Sequence, residues 1–188
     1  KGFLLSNLSG QSRAGIVHRL DKGTSGAIVV AKNNAAHAAL SSQLSDKSMG
    51  RIYLALTDLP LKQNCTVWRA IGRNPANRLK KAIVSDGRAA KSAFANLLFS
   101  EFSGPVQGKN AGVNLIAAKL FTGRTHQIRA HLSLIGHPLV GDELYGGDMN
   151  LAKRQMLHAY KLEFQNPKTL ENLKVEIEIP PDMKELLK

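Results

Sequence analysis

The sequence predicts an α+β domain: a mixed, mostly antiparallel central β-sheet flanked by helices and loops. Three observations point there. Strand-like stretches outnumber helical ones, and they do not alternate regularly with helices as a parallel, doubly wound sheet requires. Helical period shows clearly in only two internal segments. Finally, 188 residues of which 43% are hydrophobic are enough to bury one core, so residues 1–188 read as a single domain. The chain opens on Lys1 rather than Met, which predicts a fragment whose upstream part is missing.

The elements follow in order. "AIVVAK" (27–32) is β-branched and apolar, a short buried strand. "NNAAHAALSSQLSDKS" (33–48) predicts a helix behind an Asn cap, with Leu40 and Leu44 one turn apart. "RIYLALTD" (51–58) alternates, with Ile52, Leu54 and Leu56 on one face and Tyr53 on the other. Residues 60–91 read as a basic, loop-rich insertion with room for two short strands. The polar loop "SGPVQGKNAG" (103–112) leads into a strand, "GVNLIAAKLF" (112–121). In "TGRTHQIRAHLSLIG" (122–136) the period changes: Ile128, His131, Leu132 and Ile135 share a helical face, Thr125 can cap, and Gly136 can stop the helix. "HPLVGDELYGG" (137–147) has loop chemistry, while "MLHAYKLEF" (156–164) and "LKVEIEI" (173–179) read as strands. Asp182 and Glu185 have the spacing of a capping box for a brief terminal helix.

Charge narrows the function. Twenty-six Lys and Arg against fourteen Asp and Glu give +12, and residues 61–99 alone hold eight basic residues and one acidic. Clustered cations gain affinity for nucleic acid by displacing counterions from phosphates, so a polyanion is the expected partner, against an idle basic surface as the plainer reading. Aromatic residues are only 5% of the chain, which favours backbone gripping over stacking of many bases. No apolar run approaches the roughly 20 residues of a membrane span. Cys65 is the sole cysteine; it excludes an internal disulfide and suits a reducing, cytoplasmic compartment.

Two motifs could carry chemistry. In "HRLDKGTSG" (18–26), Asp21 lies between Arg19 and Lys22, ahead of a strand and beside glycines. Neighbouring cations favour a carboxylate's charged form, and a sheet end can display it as nucleophile or base. A turn in which Asp21 caps backbone amides fits the same residues. In "TGRTHQIRAH" (122–131), Arg124, His126, Gln127 and Arg129 cluster around a helix start, where free amides and the dipole favour anions. They could bind phosphate or pair with Asp21. His131 reads as a satisfied residue of the apolar helix face. His126, His131 and His137, with Cys65, lack metal-ligand spacing, and neither a P-loop nor a G-x-S-x-G elbow occurs.

Taken together, "GIVHRLDKGTSGAIVVAKN", "RIYLAL", "GRAAKSAF", "LFTGRTHQIRAHLSLIGHPLVGDELYGG" and "LHAYKLEFQNP" resemble the RluA-type pseudouridine synthases, in the order of that family and across about residues 15–167. The resemblance implies the pseudouridine synthase fold and a cofactor-free, metal-free isomerisation of uridine within RNA. The N1–C1′ bond breaks, the uracil turns over, and C5 joins C1′. It implies that Asp21 is the catalytic carboxylate, acting on C1′ or on a ribose proton. Tyr53 would pack on the uracil and serve as a candidate base for the C5 proton, and Arg124 would pair with Asp21. A stacked uridine must be flipped out to react, and Arg19 is placed to fill the gap or hold the backbone, with His126, Gln127 and Arg129 as further RNA contacts. The expected partner is RNA, ribosomal large-subunit RNA ahead of tRNA, with the enzyme a monomer. A non-catalytic RNA-binding or ribosome-assembly module on the same fold is the alternative. Relatives carry a strand with an "NKP.G"-like stretch upstream, where about 17 residues precede His18 here, so the sheet is expected to lack a strand or more.

Overall fold

The computed structural model describes residues 5–101 and 112–188, so the polar loop predicted over 103–112 lies, except for Gly112, outside the described residues. Nine strands and three α-helices are present among them: β1 (Ser25–Gly26), α1 (Asn34–Ser45), β2 (Gly50–Thr57), β3 (Cys65–Trp68), β4 (Ile71–Arg73), β5 (Lys81–Ile83), β6 (Lys91–Glu101), β7 (Gly112–Leu120), α2 (Gln127–Leu134), β8 (Leu157–Gln165), β9 (Asn172–Glu176) and α3 (Pro181–Glu185). The main sheet runs β1-β8-β2-β7-β6-β3, with β9 also on β8, and β4 and β5 form a separate ribbon. Every pairing is antiparallel except β1 with β8. The mixed, mostly antiparallel sheet of an α+β fold is therefore the observed architecture.

Alternation in β2 places two hydrophobic clusters on opposite sides of the sheet. Tyr53 and Ala55 join Phe94, Ile116, Ala118 and, from α2, Ile128 and Leu132. Leu54 and Leu56 pack on the other face with Val113, Leu115 and, from α3, Met183. Tyr53 thus does face away from Leu54 and Leu56, but both faces are covered. β8 carries a bulge opposite this point, the register passing from Ile52↔Lys161 to Tyr53↔Ala159 with Tyr160 as the extra residue, while β2 keeps an unbroken register with β7.

Several local expectations change. Residues 27–32 are not a continuous buried strand. Ladder pairing stops at Gly26, Val30 makes one isolated bridge to Ile16, and Ile28 and Val30 are exposed while Ala27 and Ala31 are buried. The region 60–91 is more ordered than a loop-rich insertion, since it supplies the edge strand β3 and the β4–β5 ribbon. β6, eleven residues long, begins where that insertion was expected to end. Its alternation is masked by the exposed run Leu97, Leu98, Phe99 beyond a register shift.

The helix boundaries divide in the same way. Asn33 caps α1 by accepting from the Ala36 amide at 2.8 Å, as its position predicts. Thr125 does not cap α2; the cap position is His126, with φ of 58° and no side-chain bond to the helix amides. Gly136, φ 80°, does follow the end of α2. The Asp182/Glu185 box is not formed either. Asp182 lies inside α3 and binds Arg154 through both oxygens, at 2.7 and 2.8 Å.

Candidate active site

The site begins at a loop pinned from below. The Asp21 carbonyl accepts from the Thr24 amide at 2.9 Å, closing a turn. Gln155 Nε2 donates to the Lys22 carbonyl at 2.6 Å, and Arg154 Nη1 donates to the Gly23 carbonyl at 3.0 Å. Gly26 then passes so close to β8 that a Cβ there would meet the Ala159 carbonyl oxygen at 2.3 Å, and its φ of 111° suits only glycine. Upstream, His18 Nε2 accepts from the Val29 amide at 3.1 Å. These bonds hold the loop, and the Asp21 side chain, 13% exposed, lines a cleft of about 840 Å³.

Facing it is a buried arginine. Arg129 of α2 binds Asp142 through Nε and Nη2 at 2.7 and 2.8 Å, a bidentate arrangement that fixes the guanidinium plane. Its remaining nitrogen, Nη1, lies 3.8 Å from Asp21 Oδ2, so one guanidinium spans two carboxylates. Asp142 is 1% exposed and the Arg129 side chain 8%, which keeps the array out of bulk solvent. The Tyr145 ring lies under the Arg129 guanidinium at 4.9 Å. Burial pushes the Tyr145 phenol up to about 12, so at neutral pH it stays protonated; it donates to the Lys81 carbonyl at 3.0 Å and receives the Lys81 amide at 2.9 Å. His126 Nδ1 sits 3.1 Å from the same oxygen.

On the sheet side, Tyr53 and Arg51 project from β2 into the same cleft, two residues apart and so on one face. Burial raises the Tyr53 phenol above its ordinary value, with Arg51 opposing and Asp21 reinforcing that shift. Burial first, and the Arg51 charge second, lower the His18 imidazole to about 4. A group neutral when folded but protonated when unfolded removes stability as the pH falls. The expected loss runs between about pH 6.5 and 4, at up to roughly 1.4 kcal/mol per pH unit. In His18→Gln, whose amide oxygen can still accept from Val29, urea unfolding at stepped pH should show a shallower decline than the parent chain; an unchanged slope contradicts this reading of His18.

The candidate residues read from the sequence separate into those at the site and those around it. Asp21 and Tyr53 line the cleft together, and Arg19 is exposed on its wall. The partner of Asp21 is Arg129, not Arg124. Arg124 stands on the rim, with Nε donating to the Ala89 carbonyl at 3.1 Å; burial first, then the nearby Arg88 charge, lower its pKa. Arg129, expected as an RNA contact, is committed to the two carboxylates. Gln127, also expected to meet RNA, is 3% exposed and turned inward. Its oxygen accepts from Thr122 Oγ1 and the Arg124 amide, and its nitrogen donates to the Lys91 carbonyl and Ser92 Oγ. That uses all of its bonding capacity. His131 is buried and satisfied by Ser92 Oγ and the Arg69 carbonyl, as its place on the apolar face implied. Asp142, Tyr145 and Arg51 went unread. The first two stood in "GDELYGG", whose glycines suggested only a loop; Arg51 carried a signal, a cation in phase with Tyr53 on an apolar strand.

A carboxylate held on a pinned loop, bridged by a buried arginine to a second carboxylate and sharing a basic cleft with a phenol, has the makings of an enzyme site. Comparison with known proteins specifies the family. Residues 2–134 match the family described as RNA pseudouridylate synthase. Over 192 residues the chain is 47% identical to an uncharacterized RNA pseudouridine synthase of Helicobacter pylori strain J99, covering 100% of this chain and 58% of that protein. It is 42% identical over 193 residues to ribosomal large subunit pseudouridine synthase D of Zymomonas mobilis, covering 98% of this chain and 58% of that one. Among solved structures it resembles human RNA pseudouridylate synthase domain containing 1, with a TM-score of 0.74 and 31% identity over 89% of this chain and 71% of that chain. The chain belongs to the RNA pseudouridylate synthase family. It spans just over half the length of these two bacterial relatives.

Proposed function

We propose that this chain converts uridine to pseudouridine in structured RNA, with Asp21 as the reacting carboxylate and ribosomal large-subunit RNA as the substrate. The observation that carries the reading is the Asp21–Arg129–Asp142 array, whose Asp21 and Arg129 line one cleft with Tyr53. Cleavage of the N1–C1′ bond leaves positive character on the ribose and negative charge on the departing uracil. The Asp21 carboxylate stabilises the former, and the bridging guanidinium keeps the carboxylate aimed at the sugar. The raised phenol pKa makes Tyr53 a neutral group at rest, better suited to packing its ring on the base than to accepting the C5 proton directly. The name of the Zymomonas relative supports the ribosomal substrate.

Basic residues flank the cleft in keeping with an RNA backbone. Arg124 and Arg88 crowd at the rim, Arg19 is exposed on the wall, and Arg69, Arg73 and Arg78 are exposed along the 61–99 stretch. Arg19 and Arg124, which line the cleft, suit the phosphates on either side of an everted nucleotide. With ribosomal RNA tritiated at uridine C5, the chain should release one tritium per modified site, because C5 exchanges its hydrogen for the bond to C1′. RNA binding without any tritium release from ribosomal or transfer RNA would instead identify a non-catalytic RNA-binding module.

A further inference from the structure

Arg51 is a charged side chain that the site as described leaves unused. It is 7% exposed, it lines the cleft with Asp21 and Tyr53, and its Nε is buried without a hydrogen-bond partner. No carboxylate forms an ion pair with it among the described residues. The other buried arginine of the cleft, Arg129, is by contrast neutralised by two carboxylates. Burying an uncompensated guanidinium is costly, and an arginine cannot escape the cost by giving up its proton. The neighbours do not cancel the charge. His18 is held neutral beside it, and Tyr53, also neutral, offers no anion.

The backbone opposite has been cleared for this side chain. Gly123, at the entrance to α2, carries no Cβ, and one placed there would lie 2.5 Å from Arg51 Nη1. The φ of Gly123 is not in the left-handed region, so what a side chain here would meet is the Arg51 guanidinium, which would have to move aside to admit it. A cation kept buried, unpaired and unobstructed in a cleft is arranged for an anion that arrives with the substrate.

We propose that Arg51 binds an anionic oxygen of the everted nucleotide, resting on the reading of this cleft as a uridine site. That oxygen belongs either to the phosphate of the target nucleotide or to the uracil as it departs with the glycosidic electron pair. Both sources share one chemistry, a compact oxyanion meeting a desolvated guanidinium, where the interaction is strongest.

The test uses Arg51→Met, which keeps the length and apolar packing of the stem, alongside Arg51→Lys and Gly123→Ala. Urea unfolding, RNA affinity at several salt concentrations and single-turnover tritium release are read on each. Arg51→Met should unfold at the same or higher urea than the parent, because an unpaired buried charge is gone. It should lose function on the order of 10²-fold. If the phosphate is the ligand, the loss falls on RNA affinity and the salt slope drops by about one phosphate contact. If the uracil oxygen is the ligand, affinity holds and the single-turnover rate falls. Arg51→Lys should recover part of either loss, and Gly123→Ala should reproduce part of it by displacing Nη1. Parental affinity and rate in Arg51→Met overturn the proposal, as does a loss of activity accompanied by a matching loss of stability. A parent chain that binds RNA through Arg51 yet releases no tritium refutes the isomerase reading while leaving this site standing.

Discussion

Replacing Asp21 by Asn should reduce pseudouridine formation by at least three orders of magnitude while leaving RNA affinity within a few-fold of the parent. The size of the effect follows from what the substitution removes. An amide neither traps nor compensates the positive character at C1′, and losses of a reacting nucleophile in other enzymes reach about 10⁶-fold. Binding should survive because the cations around the cleft, including Arg19, Arg124 and Arg88, are untouched. Folding should survive as well. The loop is held through the backbone of residues 21–26 and through Gln155 and Arg154, not through the Asp21 carboxylate. Single-turnover tritium release with parallel filter binding makes the separation visible. Equal release by parent and variant would remove Asp21 from the chemistry.

The second large effect is expected at Arg129. In Arg129→Met the Asp142 carboxylate, 1% exposed, loses both of its charge-assisted bonds, and Asp21 loses its only ion-pair partner among the described residues. Breaking a buried pair by removing one member typically costs about 3–5 kcal/mol, a large share of a domain's stability. The urea midpoint should fall accordingly, and activity should be lost with it. Arg129→Lys distinguishes aiming from simple support. An ammonium restores charge beside Asp142 but cannot reach two carboxylates from one plane. The lysine variant should therefore fold with a smaller penalty, yet turn over on the order of 10²-fold more slowly at unchanged RNA affinity. Near-parental turnover by Arg129→Lys would mean that the array supports the fold and does not orient Asp21.

Legibility differed by the kind of information involved. The fold class was readable because strand alternation and helical period are local, and the Asn33 cap and the Gly136 stop act within a few residues of themselves. Longer strands blurred where local pattern and burial part company. β6 keeps a large exposed apolar run, and residues 27–31 alternate in burial although their composition reads as uniformly apolar. The Asp182/Glu185 spacing misled because α3 begins at Pro181 with Pro180 in the cap position, and Arg154, distant in sequence, binds both oxygens of Asp182.

At the site, the sequence by itself determined the candidate groups: a carboxylate between cations ahead of a strand, a phenol on an alternating strand, and arginines gathered at a helix start. Tertiary structure alone decided which arginine serves the carboxylate. Arg124 and Arg129 are five residues apart with left-handed His126 between them, so no helical phase relates one to the other. The choice is made by Asp142, which arrives from the loop before β8 and captures the guanidinium of Arg129 in the buried interior. Electrostatic partnership is strong only where water is excluded, and exclusion of water belongs to the packed chain rather than to any stretch of residues read in order.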